Sequence, residues 1–282
     1  MAGYCTAMAQ TDTWDPDAYL RWPGPRTHSV LDLLGHVDYA APRLVVDLGC
    51  GPGNNTELIA DRWPDAYVIG VDSSPRMIEA ARSRQRPGRM EFLVADMRDW
   101  RPSEPADVVL ANAVLQFFPD HLELLPHLAS FLAPGGTLGF QMPASDPVGS
   151  IMDVARALAA SPAWRDTLGD ALTPGTVHSP IDYLTALGDA GLNGETWETT
   201  YLSPLAGPGS IAEYAAGSVL RPALSRLNSE TAGRFLADYT DLMHAEWPPR
   251  VIGGELTDVL RQRRVFAVGR RQLSRGTGSS RI

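Results

Sequence analysis

From Val45 to Asn55 the chain reads VVDLGCGPGNN, and few folds accommodate such a run. The apolar stretch is short enough for a buried strand, ends in Asp47 and Leu48, and then meets Gly49, Gly51 and Gly53 at alternate positions. Glycine at such a turn lets the backbone take positive φ and lets another group approach the main chain. A second apolar stretch, Tyr67-Val68-Ile69-Gly70-Val71, also ends in an acid, Asp72. Two adjacent parallel strands, with a glycine turn on one and a carboxylate on the other, form a binding site for an adenosine-bearing cofactor.

The spacing says which cofactor. A dinucleotide turn reads G-x-G-x-x-G, with the helix N-terminus facing a pyrophosphate. Here the third glycine, Gly53, comes two positions after Gly51 rather than three, and an acid, Asp47, stands inside the pattern. A carboxylate there repels a pyrophosphate but suits a ligand that carries an ammonium and a sulfonium. The spacing therefore favours S-adenosylmethionine over a nicotinamide dinucleotide. Asp72, with Ser73 beside it, is expected to meet the ribose hydroxyls. Met90–Met97 reads as a third strand whose Asp96 reaches the adenine amino group, with Met77 or Met97 against the ring face. A fourth, from Asp107, ends at Asn112, which with Gln116 is expected beneath the methionine part of the cofactor.

Strand and helix alternate as far as Met142, which argues for a parallel sheet covered on both faces. Helices are expected over 27–37, 54–63, 74–82 and 122–132, the last ended by Pro134-Gly135-Gly136, with a fifth strand over 137–142. Ser74 is the expected cap of the third helix, with Pro75 at its first position. Beyond Pro143 the alternation slackens. Helices are expected at 150–158, 164–168, 181–190, 211–227 and 229–247, and strands at 195–202 and 264–269. The reading is an α/β fold, a seven-stranded Rossmann-like sheet flanked by helices, with a helical insertion before the last strand. It forms one domain over 14–271, with helical substrate-capping segments at about 144–180 and 205–260. Residues 1–13 are expected to be a flexible leader, and 272–282, rich in glycine and serine, a disordered tail.

Composition bounds the partners. At 44% apolar residues the chain can bury a substantial core, and a net charge of −9 argues against a nucleic-acid partner. A local arginine cluster can still attract an anionic small molecule. The two cysteines, Cys5 and Cys50, are not expected to pair, and no His or Cys spacing suggests a metal. Without a secretory leader or a run of membrane-spanning length, a cytoplasmic protein with no membrane partner is expected. The oligomeric state is not readable.

At this point the chain resembles the S-adenosylmethionine-dependent methyltransferases, and among them the trans-aconitate methyltransferases. The resemblance spans about 14–270. It is carried by Trp14–Leu20 with Arg26, Leu115–His121, Gln141-Met142-Pro143, Trp197–Leu202, Leu220-Arg221-Pro222 and Arg264-Val265-Phe266. The sequence departs from that family where Phe117 or Phe118 stands for a tryptophan, Ser203 for a histidine and His28 for a second arginine. The resemblance implies O-methylation of a carboxylate on a small polycarboxylic acid. The alternatives are a natural-product O- or N-methyltransferase acting on a larger acceptor, or a non-catalytic binder of the cofactor.

A carboxylate is ionised near neutral pH and needs no general base. It needs donors that orient it, and arginine grips it through two hydrogen bonds. The expected acceptor-binding residues are Tyr19, Arg26, Gln141, Tyr201, Arg221 and Arg264. Arg261, Arg263, Arg270 and Arg271 are read as solvated charges. His121 is read as a neighbour of a helix cap, and as a base only if the acceptor is a hydroxyl or an amine. Phe117 and Phe118 are read as core or pocket wall.

Overall fold

The computed structural model describes residues 23–144, 146–173 and 175–273, and for Pro23 and Arg26 the backbone only. The expectations for the leader, for Tyr19, for the side chain of Arg26 and for the tail beyond Leu273 lie outside the described residues. The chain runs α1 (Pro23–His36), β1 (Leu44–Leu48), α2 (Asn54–Arg62), β2 (Tyr67–Asp72), α3 (Pro75–Arg82), β3 (Met90–Val94) and β4 (Ala106–Asn112). After a short 3-10 turn (Leu115–Phe117) come α4 (His121–Ala129), β5 (Leu132–Pro143), α5 (Ile151–Ala159), α6 (Arg165–Leu168), α7 (Pro180–Asp189) and β6 (Leu192–Ala206). The last elements are α8 (Ser210–Ala216), α9 (Arg221–Leu224), α10 (Ser229–Glu246), β7 (Arg250–Ile252) and β8 (Glu255–Arg271).

The strands lie in the order β3-β2-β1-β4-β5-β8-β6, and β7 pairs antiparallel with β8. β1 pairs parallel with both β2 and β4, so the strand order reverses at β1. In an open parallel sheet this switch point leaves a crevice at the carboxyl ends of the strands. Val45, Val46, Val108, Val109 and Leu110 are buried, as strands covered on both faces must be. Ser74 caps α3 by accepting the Met77 N–H at 3.2 Å, with Pro75 at the first turn. Ser179 and Asp182 close a reciprocal capping box at the start of α7.

The chain divides into two compact units. A sheet unit holds Ser29–Met142, His178–Glu198 and the chain from Val265, and a helical unit holds Pro143–Val177, Thr199–Arg264 and the segment ending at His28. Both β6 and β8 run from one unit into the other. Trp164, Leu168, Phe235 and Tyr239 are buried in the core of the helical unit, with the Trp164 and Phe235 rings edge-to-face at 5.1 Å.

Four local readings are corrected. β6 and β8 extend far beyond 195–202 and 264–269, and β7 adds a short eighth strand. The helix expected over 211–227 is two helices, broken around Gly217. Pro134-Gly135-Gly136 does not end a helix but bulges out of β5, where Ala106 pairs with Leu132 and Val108 already pairs with Thr137. Gly136 is required there, because a Cβ would sit 2.9 Å from the Ala133 carbonyl and 3.0 Å from that of Ala106.

Candidate functional site

The turn after β1 uses its three glycines differently. Gly49, Gly51 and Gly53 have φ of 68°, 55° and 80°, in the left-handed region that favours glycine. A Cβ on Gly49 would collide with Val114, and one on Gly53 would come within 2.7 Å of Phe92, so these two are packing glycines. A Cβ on Gly51 would meet nothing within 4 Å, so open space faces the chain at that point. The Gly51 N–H donates to Asp72 Oδ2 at 2.9 Å, and the Ser74 N–H to Asp72 Oδ1 at 2.8 Å. Asp72 therefore ties the tip of β2 to the turn. A carboxylate has about four acceptor positions, and these two bonds occupy two of them. Gly53 begins α2 with no side-chain cap, and exposed Ser73 lies between Asp72 and Ser74.

Asp47 is 1% exposed, and Thr56 Oγ1 donates to its Oδ2 at 2.7 Å. Burial pushes its carboxyl up to about 7; the Asp72 charge adds to this and the Thr56 bond opposes it. Burial also raises the free Cys50 thiol. Asp96 is held below the usual carboxylate range, chiefly by its ion pair with Arg98, against some burial. That guanidinium also lies over the Phe118 ring, 5.5 Å from its centroid. Met77 and Met97 are buried.

At the tip of β4, Asn112 pairs in register with Gln141 of β5, and Gln141 Nε2 donates to Asn112 Oδ1 at 2.6 Å. The next residue, Ala113, has φ of 55°, and its carbonyl accepts from Gln116 Nε2 at 2.8 Å. Gln116 Oε1, Gln141 Oε1 and Asn54 Oδ1 are buried oxygens without a hydrogen-bond partner. Buried acceptors are normally satisfied, so unpaired ones at the start of α2, in the turn after β4 and on β5 suit a ligand that brings N–H donors. Buried acceptors, three carboxylates and open space at Gly51 fit an ammonium- and sulfonium-bearing adenosine compound and are a poor match for a pyrophosphate. Among the described residues no cluster of potential metal ligands is present.

His121 is 0% exposed. Its Nδ1 lies 2.8 Å from the Phe118 carbonyl, which can only accept, so Nδ1 carries the proton. Nε2, 2.9 Å from Tyr183 Oη, is then the acceptor, and Tyr183 Oη itself accepts the His178 N–H at 3.0 Å. Burial lowers the imidazole pKa, consistent with a neutral ring. For the conditional role of His121 as a base, the structure shows both nitrogens engaged and a ring with no exposed surface. Phe117 is 38% exposed and is not a core residue, whereas Phe118 is half-buried.

Among the described residues, the remaining expected acceptor residues Tyr201, Arg221 and Arg264 belong to the helical unit. Tyr201 on β6 faces His28, ring centroids 6.0 Å apart. Arg221 opens α9, and Ser203 is buried with its hydroxyl unpartnered. Arg264 Nη2 lies 2.9 Å from the side-chain amide of Gln262, which also meets Tyr214 Oη at 2.9 Å. The sequence reading missed Gln262 and Tyr214. The one available clue was an uncharged residue inside the run Arg261-Gln262-Arg263-Arg264. Arg261, Arg270 and Arg271, read as solvated charges, are engaged. Arg261 pairs with buried Asp146 at 2.7 Å, Arg270 donates to the Gly135 carbonyl at 3.1 Å and Arg271 to that of Leu132 at 2.6 Å.

Residues 45–136 match the methyltransferase domain family. The chain is 40% identical over 273 residues to the trans-aconitate 2-methyltransferase of Streptomyces avermitilis, covering 94% of this chain and 99% of the relative. It is 42% identical over 263 residues to the trans-aconitate 2-methyltransferase of Methylobacterium radiotolerans, covering 92% and 98%. Among solved structures, phosphoethanolamine N-methyltransferase 2 of Haemonchus contortus in complex with S-adenosyl-L-methionine superposes with a TM-score of 0.58 at 14% identity, over 96% of this chain and 61% of that one. The YcgJ protein of Bacillus subtilis gives 0.57 at 14% identity, over 87% and 99%. At that identity the likeness concerns the fold. No helix among the described residues is long and apolar enough to cross a membrane.

Proposed function

This chain belongs to the trans-aconitate 2-methyltransferase family, and from that premise we propose that it methylates a carboxylate oxygen of a small unsaturated polycarboxylic acid such as trans-aconitate. It is an S-adenosylmethionine-dependent methyltransferase with a small-molecule acceptor. The cofactor, when bound, supplies a methyl group activated by a sulfonium. In this reading Asp72 and Ser73 receive the ribose hydroxyls, Gly51 admits the cofactor to the main chain while Gly49 and Gly53 let the turn pack closely around it, and Asp96 takes the adenine amino group. Met77 and Met97 flank the ring, while Asp47, Asn112 and Gln116 serve the methionine part.

Displacement at a methyl carbon requires alignment, and holding the reactants in an attack geometry can supply roughly 7–11 kcal/mol of barrier reduction. Arg26, Arg221 and Arg264, with Tyr19, Tyr201 and Gln141, are assigned to grip and orient the acceptor's carboxylates. An ionised carboxylate attacks without losing a proton, which agrees with the sealed state of His121. That state also weighs against a hydroxyl or amine acceptor served by this histidine. The observation that carries the reading is identity of about 40% along nearly the full length of relatives named for this activity.

The test is Arg264→Met. Removing one partner of a shielded charge pair costs about 2–5 kcal/mol, so KM for trans-aconitate should rise by more than tenfold while S-adenosylmethionine affinity stays within error. Unaltered KM for the acid would remove Arg264 from the acceptor site.

A further inference from the structure

Gln262 is 8% exposed and stands between arginines on β8. One atom of its amide faces two groups at 2.9 Å, Arg264 Nη2 and Tyr214 Oη. A guanidinium has donors only, so the atom facing it is the amide oxygen, and Tyr214 donates to the same oxygen. The amide nitrogen then donates to the Pro25 carbonyl at 3.2 Å, immediately before Arg26 in the chain. One neutral amide thus bonds the guanidinium of Arg264 and the backbone next to Arg26, and buried Tyr214 fixes the amide's own orientation.

Arg261, on the same strand, shows the alternative arrangement. Its guanidinium is oriented by the buried carboxylate of Asp146 at 2.7 Å, an ion pair in which each charge offsets the other. Gln262 orients Arg264 through a hydrogen bond without adding a negative charge of its own. For a site that must attract a polyanion, a neutral acceptor is the appropriate means of fixing an arginine. A carboxylate at 262 would hold the same guanidinium equally well while competing with the substrate for it.

We propose that Gln262, oriented by Tyr214, is the positioning residue of the acceptor site, setting Arg264 for a substrate carboxylate and so tuning the site to polycarboxylates. The proposal rests on the function proposed above. Its test compares the wild type with Gln262→Leu, Gln262→Glu, Tyr214→Phe, Arg264→Met and the double variant Gln262→Leu/Arg264→Met, measuring kcat and KM for trans-aconitate and cofactor affinity by calorimetry. A hydrogen bond to a charged group sets the scale, so Gln262→Leu should raise KM roughly 10- to 100-fold, with kcat and cofactor affinity little changed. Gln262→Glu should raise KM at least as far although it retains an acceptor, because it brings a competing charge. The effect of the double variant should fall well short of the sum of the two single effects, since Gln262 acts mainly through that arginine. If Gln262→Leu does not fold, Tyr214→Phe decides, with a smaller rise in KM expected in the same sense. A wild type that forms no carboxyl ester overturns the proposed function and this inference together. An active wild type with unchanged KM in folded Gln262→Leu, or in Tyr214→Phe when it is the deciding variant, overturns this inference alone, as do fully additive effects in the double variant.

Discussion

At Gly51 and Asp72 one bond joins the two motifs that the sequence displays separately, the glycine turn and the acid ending β2. Both residues were legible because each follows an apolar run at a strand end; their mutual hydrogen bond was not, since it depends on the register of β1 with β2. Gly51→Val would place a branched side chain at φ 55° and into the open space facing the turn, and should abolish cofactor binding in a folded protein. Asp72→Ala should weaken binding by more than about 1.4 kcal/mol, the tenfold unit, by titration calorimetry. Asp47 yields a pH prediction. Its folded-state pKa of about 7 lies above the ordinary aspartate value of about 3.9, so the native state holds the proton more tightly than the unfolded chain. Stability from this group is then fullest below about pH 4 and falls as pH rises to about 7. In ligand-free protein Asp47→Asn, which can still accept from Thr56, should be stabilised relative to wild type by on the order of 3 kcal/mol at about pH 8, the difference vanishing near pH 4. Urea titrations at the two pH values would check it, and an equal difference at both would contradict the buried, protonated state.

At the scale of elements, α4 and α7 are tied together by the His121–Tyr183 pair. Tyr183→Phe removes the donor to His121 Nε2 and the acceptor of the His178 N–H. Two polar groups lose their partner, and chemical denaturation should show a loss of about 2–4 kcal/mol. Variation at His121 should leave the pH profile of turnover unmoved in any variant that still folds. The first five strands and their helices were readable because buried parallel strands are near-continuous apolar runs between turn residues. β6 and β8 were read short for the converse reason. β6 alternates between exposed and half-buried residues, and β8 contains Arg261-Gln262-Arg263-Arg264, a polar run that turns strand-like only through pairing and long-range bonds. The break around Gly217 was hidden by apolar periodicity that continues on both sides of it. Gln262 escaped notice because its value lies in two partners distant in sequence, Tyr214 and Pro25, together with its near neighbour Arg264.

Across the whole molecule, a chain of net charge −9 is proposed to recruit a polyanion, so attraction must come from a few local guanidinium groups acting against the overall field. Added salt screens both contributions over about 10 Å at 0.1 M, and partly buried ion pairs less than exposed ones. KM for a tricarboxylate should therefore rise moderately with salt while the KM of a neutral ester analogue, already poor, hardly moves; steady-state kinetics across a salt series would check this. The division into a sheet unit and a helical unit separates the proposed roles along the chain. All cofactor residues belong to the first, as does Gln141, while Tyr201, Arg221 and Arg264 belong to the second. The most direct measurement is the product of the reaction itself. The protein would be incubated with trans-aconitate and S-adenosylmethionine labelled on its methyl group, and the product examined by mass spectrometry before and after mild alkali. The expected product is a labelled monomethyl ester that alkali returns to the free acid with release of labelled methanol. An alkali-stable methyl ether or amine formed from another acceptor, with no label entering the acid while the cofactor binds normally, would contradict the proposed function.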